Sequence, residues 1–323
     1  MKILITGGLG YIGSNIALRL LKKNHQIIVL DNLSNSKINV VQNIKKLSKK
    51  KKFKFFKVDC KNKNKVFKIF KVNTPDLVIH LAGLKSVEES VIKPKLYLKE
   101  NMLSATTVLD AMKKYNVNNI IFSSSATVYG KPKYLPIDEK HSTAPNNPYG
   151  LSKLRIEKFL KNFCKKNKDF SAICLRYFNP VGSDKSGKLC DNPKKPNNLF
   201  PKILKFCNGK SKFMPVYGKN YDTKDGSAIR DYIHILDLVD SHNAILKYLH
   251  KNRGFQIFNV GTGKGLTVLE IIKKFQSINK IKIKIKIKNK RAGDVPIVYA
   301  SVKKINKLIG WKSKYSINKM CKL

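Results

Sequence analysis

Short apolar runs alternate with amphipathic stretches through the first half of the chain. Lys2 to Thr6 reads as a strand, and a helix then opens out of a glycine-rich turn and runs to about Lys23. Gln26 to Leu30, Phe53 to Val58, Leu77 to Leu81, Asn119 to Phe122 and Ala172 to Leu175 read as further strands. Between them the pattern predicts helices near Asn64 to Lys71, through about Thr106 to Tyr115, and from Tyr149 to about Lys166. Strand and helix alternating in this way predict an α/β fold built on a doubly wound parallel Rossmann sheet. Ligands of such sheets lie at the carboxyl ends of the strands, where Asp59, Gly83, Ser125 and the Asn179-Pro180 turn fall.

The turn after the first strand, Gly7-Gly8-Leu9-Gly10-Tyr11-Ile12-Gly13, is placed to bind a dinucleotide. Its glycines permit the tight turn and let the backbone approach a pyrophosphate, which the free N–H groups of the following helix stabilise. Asp31 ends the second strand eighteen residues after Gly13, where a carboxylate accepts bonds from the ribose hydroxyls and repels a 2'-phosphate. NAD is therefore expected rather than NADP.

Beyond Pro180 the pattern changes to loops rich in Gly, Pro and Asn with shorter helices, as in a smaller domain that covers a substrate. The expected division is a dinucleotide-binding domain over 1–178 and a mainly substrate-binding domain over 179–323. A segment near 231–260 should return to the first domain, with a strand at Phe255 to Val260 joining its sheet. Ile281 to Lys288 alternates Ile and Lys, which predicts a strand with one face buried and one solvated.

Pro148-Tyr149-Gly150-Leu151-Ser152-Lys153 carries the candidate chemistry. A helix starting after the proline sets Tyr149 and Lys153 one turn apart on one face. An ammonium at about 4 Å in an effective dielectric of about 20 is worth roughly 4 kcal/mol, about three units on a phenol pKa near ~10. Such a tyrosine can take a hydroxyl proton near neutrality. Tyr-x-x-x-Lys also occurs at Tyr129/Lys133, Tyr299/Lys303 and Tyr315/Lys319, so the pair is decided by context. Pro132 interrupts the first of these, and only Tyr149 follows closely on a strand ending in Ser123-Ser124-Ser125.

Composition narrows the alternatives. With 323 residues, 42% hydrophobic, the chain can bury a large core. No apolar run reaches the roughly 18 to 20 residues of a membrane span, and Met1 leads straight into the first strand, so a cytoplasmic protein without a signal peptide is expected. Six scattered cysteines and six scattered histidines show no metal-ligand spacing, and no metal is expected. His80 ends an apolar strand and reads as a hydrogen-bonded core residue. A net charge of +46 raises the question of nucleic acid, but the lysines lie in nearly every segment instead of on one arm, so no dedicated nucleic-acid site is expected.

Several ordered stretches carry a family likeness: Thr6-Gly7-Gly8 with Tyr11-Ile12-Gly13, Leu30-Asp31-Asn32-Leu33, His80-Leu81-Ala82-Gly83-Leu84-Lys85, and Phe122-Ser123-Ser124-Ser125-Ala126-Thr127-Val128-Tyr129-Gly130. Arg176-Tyr177-Phe178-Asn179-Pro180-Val181-Gly182, Asn197-Asn198-Leu199 and Arg230-Asp231-Tyr232-Ile233-His234 continue the set. On these the chain resembles the UDP-glucose 4-epimerases, extended short-chain dehydrogenases/reductases, over about residues 1 to 317. The resemblance implies that Tyr149 is the base, that Lys153 lowers its pKa and bonds the nicotinamide ribose, and that Ser125 bonds the sugar O4 and relays its proton. A 4-keto sugar would form, turn over in the site and be reduced on its other face.

The same resemblance implies cofactor contacts from Gly7, Gly10, Tyr11, Ile12 and Gly13 in the loop, and from Asn32, Asn35 and Ser36 beyond Asp31. It adds Asp59, Cys60, Leu81, Ala82, Gly83, Lys85, Asn101 and Phe178 to these. Asn179, Asn198, Leu199, Tyr217, Arg230, Arg291 and Asp294 match contacts to uridine, diphosphate and sugar, while Arg19 and Arg155 read as surface charges. Related sugar-nucleotide dehydratases resemble one another in an Asp-Glu pair after the serine; here Ala126-Thr127 stands there, which disfavours elimination of water. Val298 matches a position beside the sugar C2 substituent, where a large aromatic excludes N-acetylated sugars. A valine there implies that both sugar series are accepted, with Tyr299 facing away, whereas a one-residue shift in register would put Tyr299 at the gate. The resemblance also implies a homodimer through the helices after Asn101 and Tyr149. Relatives continue through a further helical tail, so a frayed end is expected near Leu323.

Overall fold

The computed structural model describes residues 1–49, 52–193, 196–291 and 293–322. In chain order the strands are β1 (Lys2–Thr6), β2 (Gln26–Asp31), β3 (Phe53–Lys57), β4 (Leu77–His80), β5 (Asn119–Ser125), β6 (Ser171–Tyr177) and β7 (Asn179–Val181). They continue with β8 (Met214–Tyr217), β9 (Ile229–His234), β10 (Phe255–Val260), β11 (Gly265–Thr267), β12 (Ile285–Lys288) and β13 (Ile297–Val298). Seven strands form one parallel sheet in the order β10-β6-β5-β4-β1-β2-β3, the doubly wound Rossmann arrangement, with β10 on its edge.

Both faces of this sheet are buried, which explains the nearly continuous apolar runs. Ile3 and Ile5 of β1 enter one apolar cluster and Leu4 the other; β2 divides in the same way, Ile27 and Val29 against Ile28 and Leu30. Each is fully buried, so each contributes ~1.5–3 kcal/mol relative to an exposed side chain. The helix expected through Thr106 begins much earlier, at Pro94, because a proline suits the first helical position, and it runs to Lys114.

Strand order reverses between β1 and β4, so the loops leaving these two strands meet over one crevice. They meet closely. A Cβ on Gly7 would lie 2.9 Å from Ala82 N, and Thr6 Oγ1 accepts bonds from Leu81 N and Ala82 N at 3.2 Å each. His80 is buried with Nδ1 2.8 Å from the same hydroxyl, the hydrogen-bonded core position read from the sequence.

A smaller sheet centres on β9, which pairs with β7 and β13 in parallel and with β11 antiparallel. Asp231 of β9 is fully buried and ties this sheet together, accepting bonds from Thr262 N (2.8 Å), Thr262 Oγ1 (2.6 Å), Gly263 N (3.0 Å) and Ala300 N (3.2 Å).

Two expectations are corrected. In the Ile/Lys repeat only Ile285–Lys288 is a strand, and all four of its residues are exposed, because β12 pairs with β8 alone in a two-stranded sheet. The buried isoleucine is Ile283, which precedes the strand and packs with Phe275 in a third apolar cluster. The end of the chain does not fray as far as Lys322: helix Ile317–Cys321 buries Met320 and Cys321 in that same cluster. Leu323 lies outside the described residues.

Candidate active site

On the cofactor side, glycine is required where the backbone crowds itself. A Cβ on Gly13 would lie 2.4 Å from Gly7 O, and Gly7 itself has φ +65°. Helix Tyr11–Lys22 starts directly from this loop. Asp31 reaches back to the loop, its Oδ2 accepting from Leu9 N at 3.0 Å, while Oδ1 accepts from Leu33 N (2.9 Å) and Ser36 Oγ (2.8 Å). Asn32 Nδ2 donates to Asp59 Oδ2 at 3.2 Å. A cavity lined by Gly10, Tyr11, Asn35, Ser36 and Lys85 opens here, and Lys85 pairs across it with Asp191 at 3.6 Å. Asn101 spans the loop after β4: its Oδ1 accepts from Leu84 N (2.7 Å) and its Nδ2 donates to Leu84 O (3.1 Å) and Ser152 Oγ (2.9 Å). Cys60 is buried below, and burial pushes its thiol up to about 12, so it packs as an apolar group.

Ser125 ends β5 and caps the short turn Ala126–Val128, while helix Pro148–Lys166 carries Tyr149 and Lys153. Asn147 caps that helix by accepting from Gly150 N at 2.8 Å. Gly150 permits the helix to close on the turn, since a Cβ there would lie 2.7 Å from the Thr127 carbonyl oxygen. The Ser125 hydroxyl is thereby brought close enough to Tyr149 to pull its phenol pKa down. Lys153 is buried and points down to the sheet: its Nζ donates to Ser123 O at 2.8 Å, 5.8 Å from the centre of the Tyr149 ring.

The pKa relation expected between these two is not what this arrangement gives. Burial pushes the Tyr149 phenol up to about 12, with the Ser125 hydroxyl pulling it down. Burial also brings the Lys153 ammonium down to about 8. Both groups are poor at holding charge out of water, and the ammonium spends its bond on a backbone carbonyl.

On the substrate side, Asp294 gathers the two arginines. Arg291 donates to it through Nε (2.9 Å) and Nη2 (3.3 Å), and Arg230 Nη2 lies 3.7 Å away. The Arg291 guanidinium lies over the Tyr217 ring at 4.9 Å. Asn198 and Leu199 begin helix Leu199–Cys207, and Asn179 begins β7 beside Phe178. Val298 pairs with Arg230 between β13 and β9 and packs on the cluster that holds Phe178 and Val128. Tyr299 goes the other way, its ring 3.0 Å from where a Cβ on Gly265 would be.

A family profile described as GDP-mannose 4,6 dehydratase matches residues 4–323. The UDP-glucose 4-epimerase of Yersinia enterocolitica is 44% identical over 319 residues, 98% of this chain and 94% of that one. The chain belongs to the UDP-glucose 4-epimerase family. The family's solved structures agree: that from Bifidobacterium longum, in complex with NAD+ and UDP, is 41% identical with a TM-score of 0.96, covering 99% of this chain and 96% of that one. The UDP-Glc/GlcNAc 4-epimerase of Campylobacter jejuni is 35% identical with a TM-score of 0.85, covering 99% and 97%.

At 126–127, where a dehydratase would carry its acids, this epimerase-family chain holds a tight turn with no carboxylate. Among the described residues no cluster of three or more His, Cys, Asp or Glu is arranged to hold a metal ion, and no helix is long and apolar enough to cross a membrane. Sequence reasoning missed Ser152, which fixes Asn101 against helix Pro148–Lys166, and Lys202, whose Nζ lies 4.3 Å over the Tyr217 ring. Ser152 sits next to Lys153 within the quoted motif; Lys202 has no local signal among so many lysines.

Proposed function

We propose that this chain interconverts UDP-galactose and UDP-glucose through a transient 4-keto sugar, as an NAD-dependent 4-epimerase. The observation that carries this reading is the meeting of Ser125 and Tyr149 at the carboxyl edge of the sheet whose first loop is built for a dinucleotide. The crowded glycines and the placement of Asp31 over the loop fit NAD. Gly7, Gly10, Tyr11, Ile12 and Gly13 would hold its diphosphate, Asp31 with Asn32, Asn35 and Ser36 the adenosine ribose, and Lys153 the second ribose. Asp59, Cys60, Leu81, Ala82, Gly83, Lys85, Asn101 and Phe178 would line the rest of its site. When bound, NAD supplies a reversible two-electron oxidation at the sugar C4 and a positive charge beside the phenol.

Tyr149 Oη takes the proton from the sugar O4 and later returns it, and Ser125 Oγ bonds O4 and carries the proton between them. Arg230 and Arg291 hold the diphosphate, while Asn179, Asn198, Leu199, Tyr217 and Asp294 contact uridine and sugar. Residues 1–178 with 231–260 serve the cofactor and 179–323 mainly the substrate. NMR of UDP-galactose incubated with the protein is expected to show UDP-glucose without added reductant; an unchanged substrate would defeat the reading.

Substrate breadth follows from Val298. Its small side chain leaves room for an acetamido group, so UDP-N-acetylglucosamine is expected to be epimerised as well. Val298→Tyr should lower kcat/KM for the N-acetyl sugar about 100-fold and for UDP-glucose less than about tenfold. Equal losses for the two sugars, or a wild type inactive on the N-acetyl series, would refute the gate.

Val91, Ile92, Leu96, Leu103 and Phe159 expose apolar side chains on helices Val87–Ile92, Pro94–Lys114 and Pro148–Lys166, which supports a homodimer through these helices. Light scattering should give twice the chain mass of 36.8 kDa, and a Leu103→Glu variant should give the single mass. A wild-type monomer would rule the dimer out. Its place of action is the cytoplasm, in keeping with six free cysteines and a need for NAD; cell fractionation that found it elsewhere would contradict this.

A further inference from the structure

Tyr221 lies in the loop between β8 and β9 and is only 8% exposed. A Cβ on Gly218 would lie 2.5 Å from the Cε2 of this ring, 3.1 Å from Cζ, the carbon that carries the hydroxyl, and 3.0 Å from Lys290 Cγ. The hydroxyl end of Tyr221 is therefore wedged between Gly218, which follows Tyr217, and the stem of Lys290, which precedes Arg291. Tyr217 and Arg291 lie against each other at 4.9 Å, so the hydroxyl comes up beside that pair. Lys290 Nζ covers the Tyr221 ring at 4.6 Å and donates to Asn220 O at 3.3 Å. The main chain holds the residue on both sides: Tyr221 N donates to Gly226 O at 3.0 Å, and Tyr221 O accepts from Thr223 N at 2.9 Å. Among the described residues this buried hydroxyl has no hydrogen-bond partner. A buried polar group left unpaired costs stability, and native chains keep few of them.

We propose that Tyr221 is a further substrate-binding residue, whose hydroxyl donates to a phosphate oxygen of the nucleoside diphosphate held by Arg230 and Arg291. The inference rests on the nucleotide-sugar reading above and leaves the proton transfers at Ser125 and Tyr149 as they are. Burial and then the Asp294 charge hold the phenol above its ordinary value, while Arg230 and Arg291 pull it down, so it stays protonated and can donate. A donor without an acceptor in its own chain, set beside the two guanidinium groups, suits the anion that those groups attract. The free protein carries the hydroxyl unpaired and the nucleotide pairs it. Removing that one oxygen therefore acts with opposite signs: it relieves the free protein and weakens the complex.

The test measures the Kd of UDP and of uridine for NAD-loaded wild type and Tyr221→Phe, and melts both proteins without nucleotide. Tyr221→Phe is expected to raise the Kd for UDP about tenfold, the worth of roughly one hydrogen bond to a charged group, and to leave that for uridine unchanged. Its Tm should equal or exceed that of wild type. On UDP-galactose, KM should rise about tenfold while kcat falls by less, because the bond is made alike in the ground and transition states. A Tyr221→Phe protein that melts lower, or that fails to fold, would show that the hydroxyl already has a structural partner and would overturn the proposal. An unchanged Kd for UDP, or equal losses for UDP and uridine, would overturn it too. A wild type that binds UDP without epimerising UDP-galactose would defeat the catalytic reading alone, and the two Kd values would still decide the role of Tyr221.

Discussion

Replacing Tyr149 by phenylalanine is expected to lower epimerisation about 10³-fold while the protein stays folded and retains NAD. The substitution removes one oxygen and keeps the ring, so the packing of helix Pro148–Lys166 against the Ala126–Val128 turn survives. What is lost is the acceptor for the O4 proton. Ser125 cannot replace it, since an aliphatic hydroxyl ionises far less readily than a phenol that a bound cofactor's charge would help to ionise. Turnover measured beside cofactor absorbance and a melting curve checks the prediction; a rate within tenfold of wild type would remove Tyr149 from the chemistry.

The largest stability effect is expected below the site, where Glu157→Gln should cost about 3–5 kcal/mol. Glu157 and Arg176 have side chains only 3% exposed, joined by bonds of 3.0 and 2.6 Å, and Ser124 Oγ donates to the same carboxylate at 2.5 Å. The Arg176 guanidinium is also stacked over Tyr129 at 4.6 Å. Neutralising the glutamate strands that guanidinium in the interior, away from water. For a chain of this length the loss corresponds to a fall in Tm of roughly 5–8 °C. Adding Arg176→Met should return much of it, because both charges are then gone. A Glu157→Gln variant that melts with wild type would show that the pair carries no such burden.

The sheet was legible because parallel strands buried on both faces write themselves as apolar runs, and the loop after β1 needs glycine at Gly7 and Gly13 for steric reasons. Tyr149 and Lys153 could be chosen among four equivalent spacings because Ser125 stands at short range before them. Direction was harder to read than position. Helical spacing puts Lys153 on the same face as Tyr149, yet its long side chain bends to the Ser123 carbonyl, a choice settled by neighbours far along the chain. The Ile/Lys repeat failed for a related reason: alternation tells which side chains share a face but not whether another layer exists to cover it. Thr127 looked significant only for the acid it lacks, because its contact with Ser125 depends on a turn that no periodic pattern announces.

Asp294, held between Arg230 and Arg291, bears on how a chain of net charge +46 avoids becoming a general trap for anions. Its carboxylate already takes two bonds from the Arg291 fork and lies 3.7 Å from that of Arg230, the two groups best shaped for phosphate oxygens. An arriving anion has to compete with that internal partner, and a single phosphate gains little from the exchange. A diphosphate with a nucleoside attached would bring two groups to the two arginines and a base for the Tyr217 ring, and is expected to win the contest. On the proposed reading, selectivity for the whole nucleotide over its fragments would reside in one acidic residue three positions beyond Arg291.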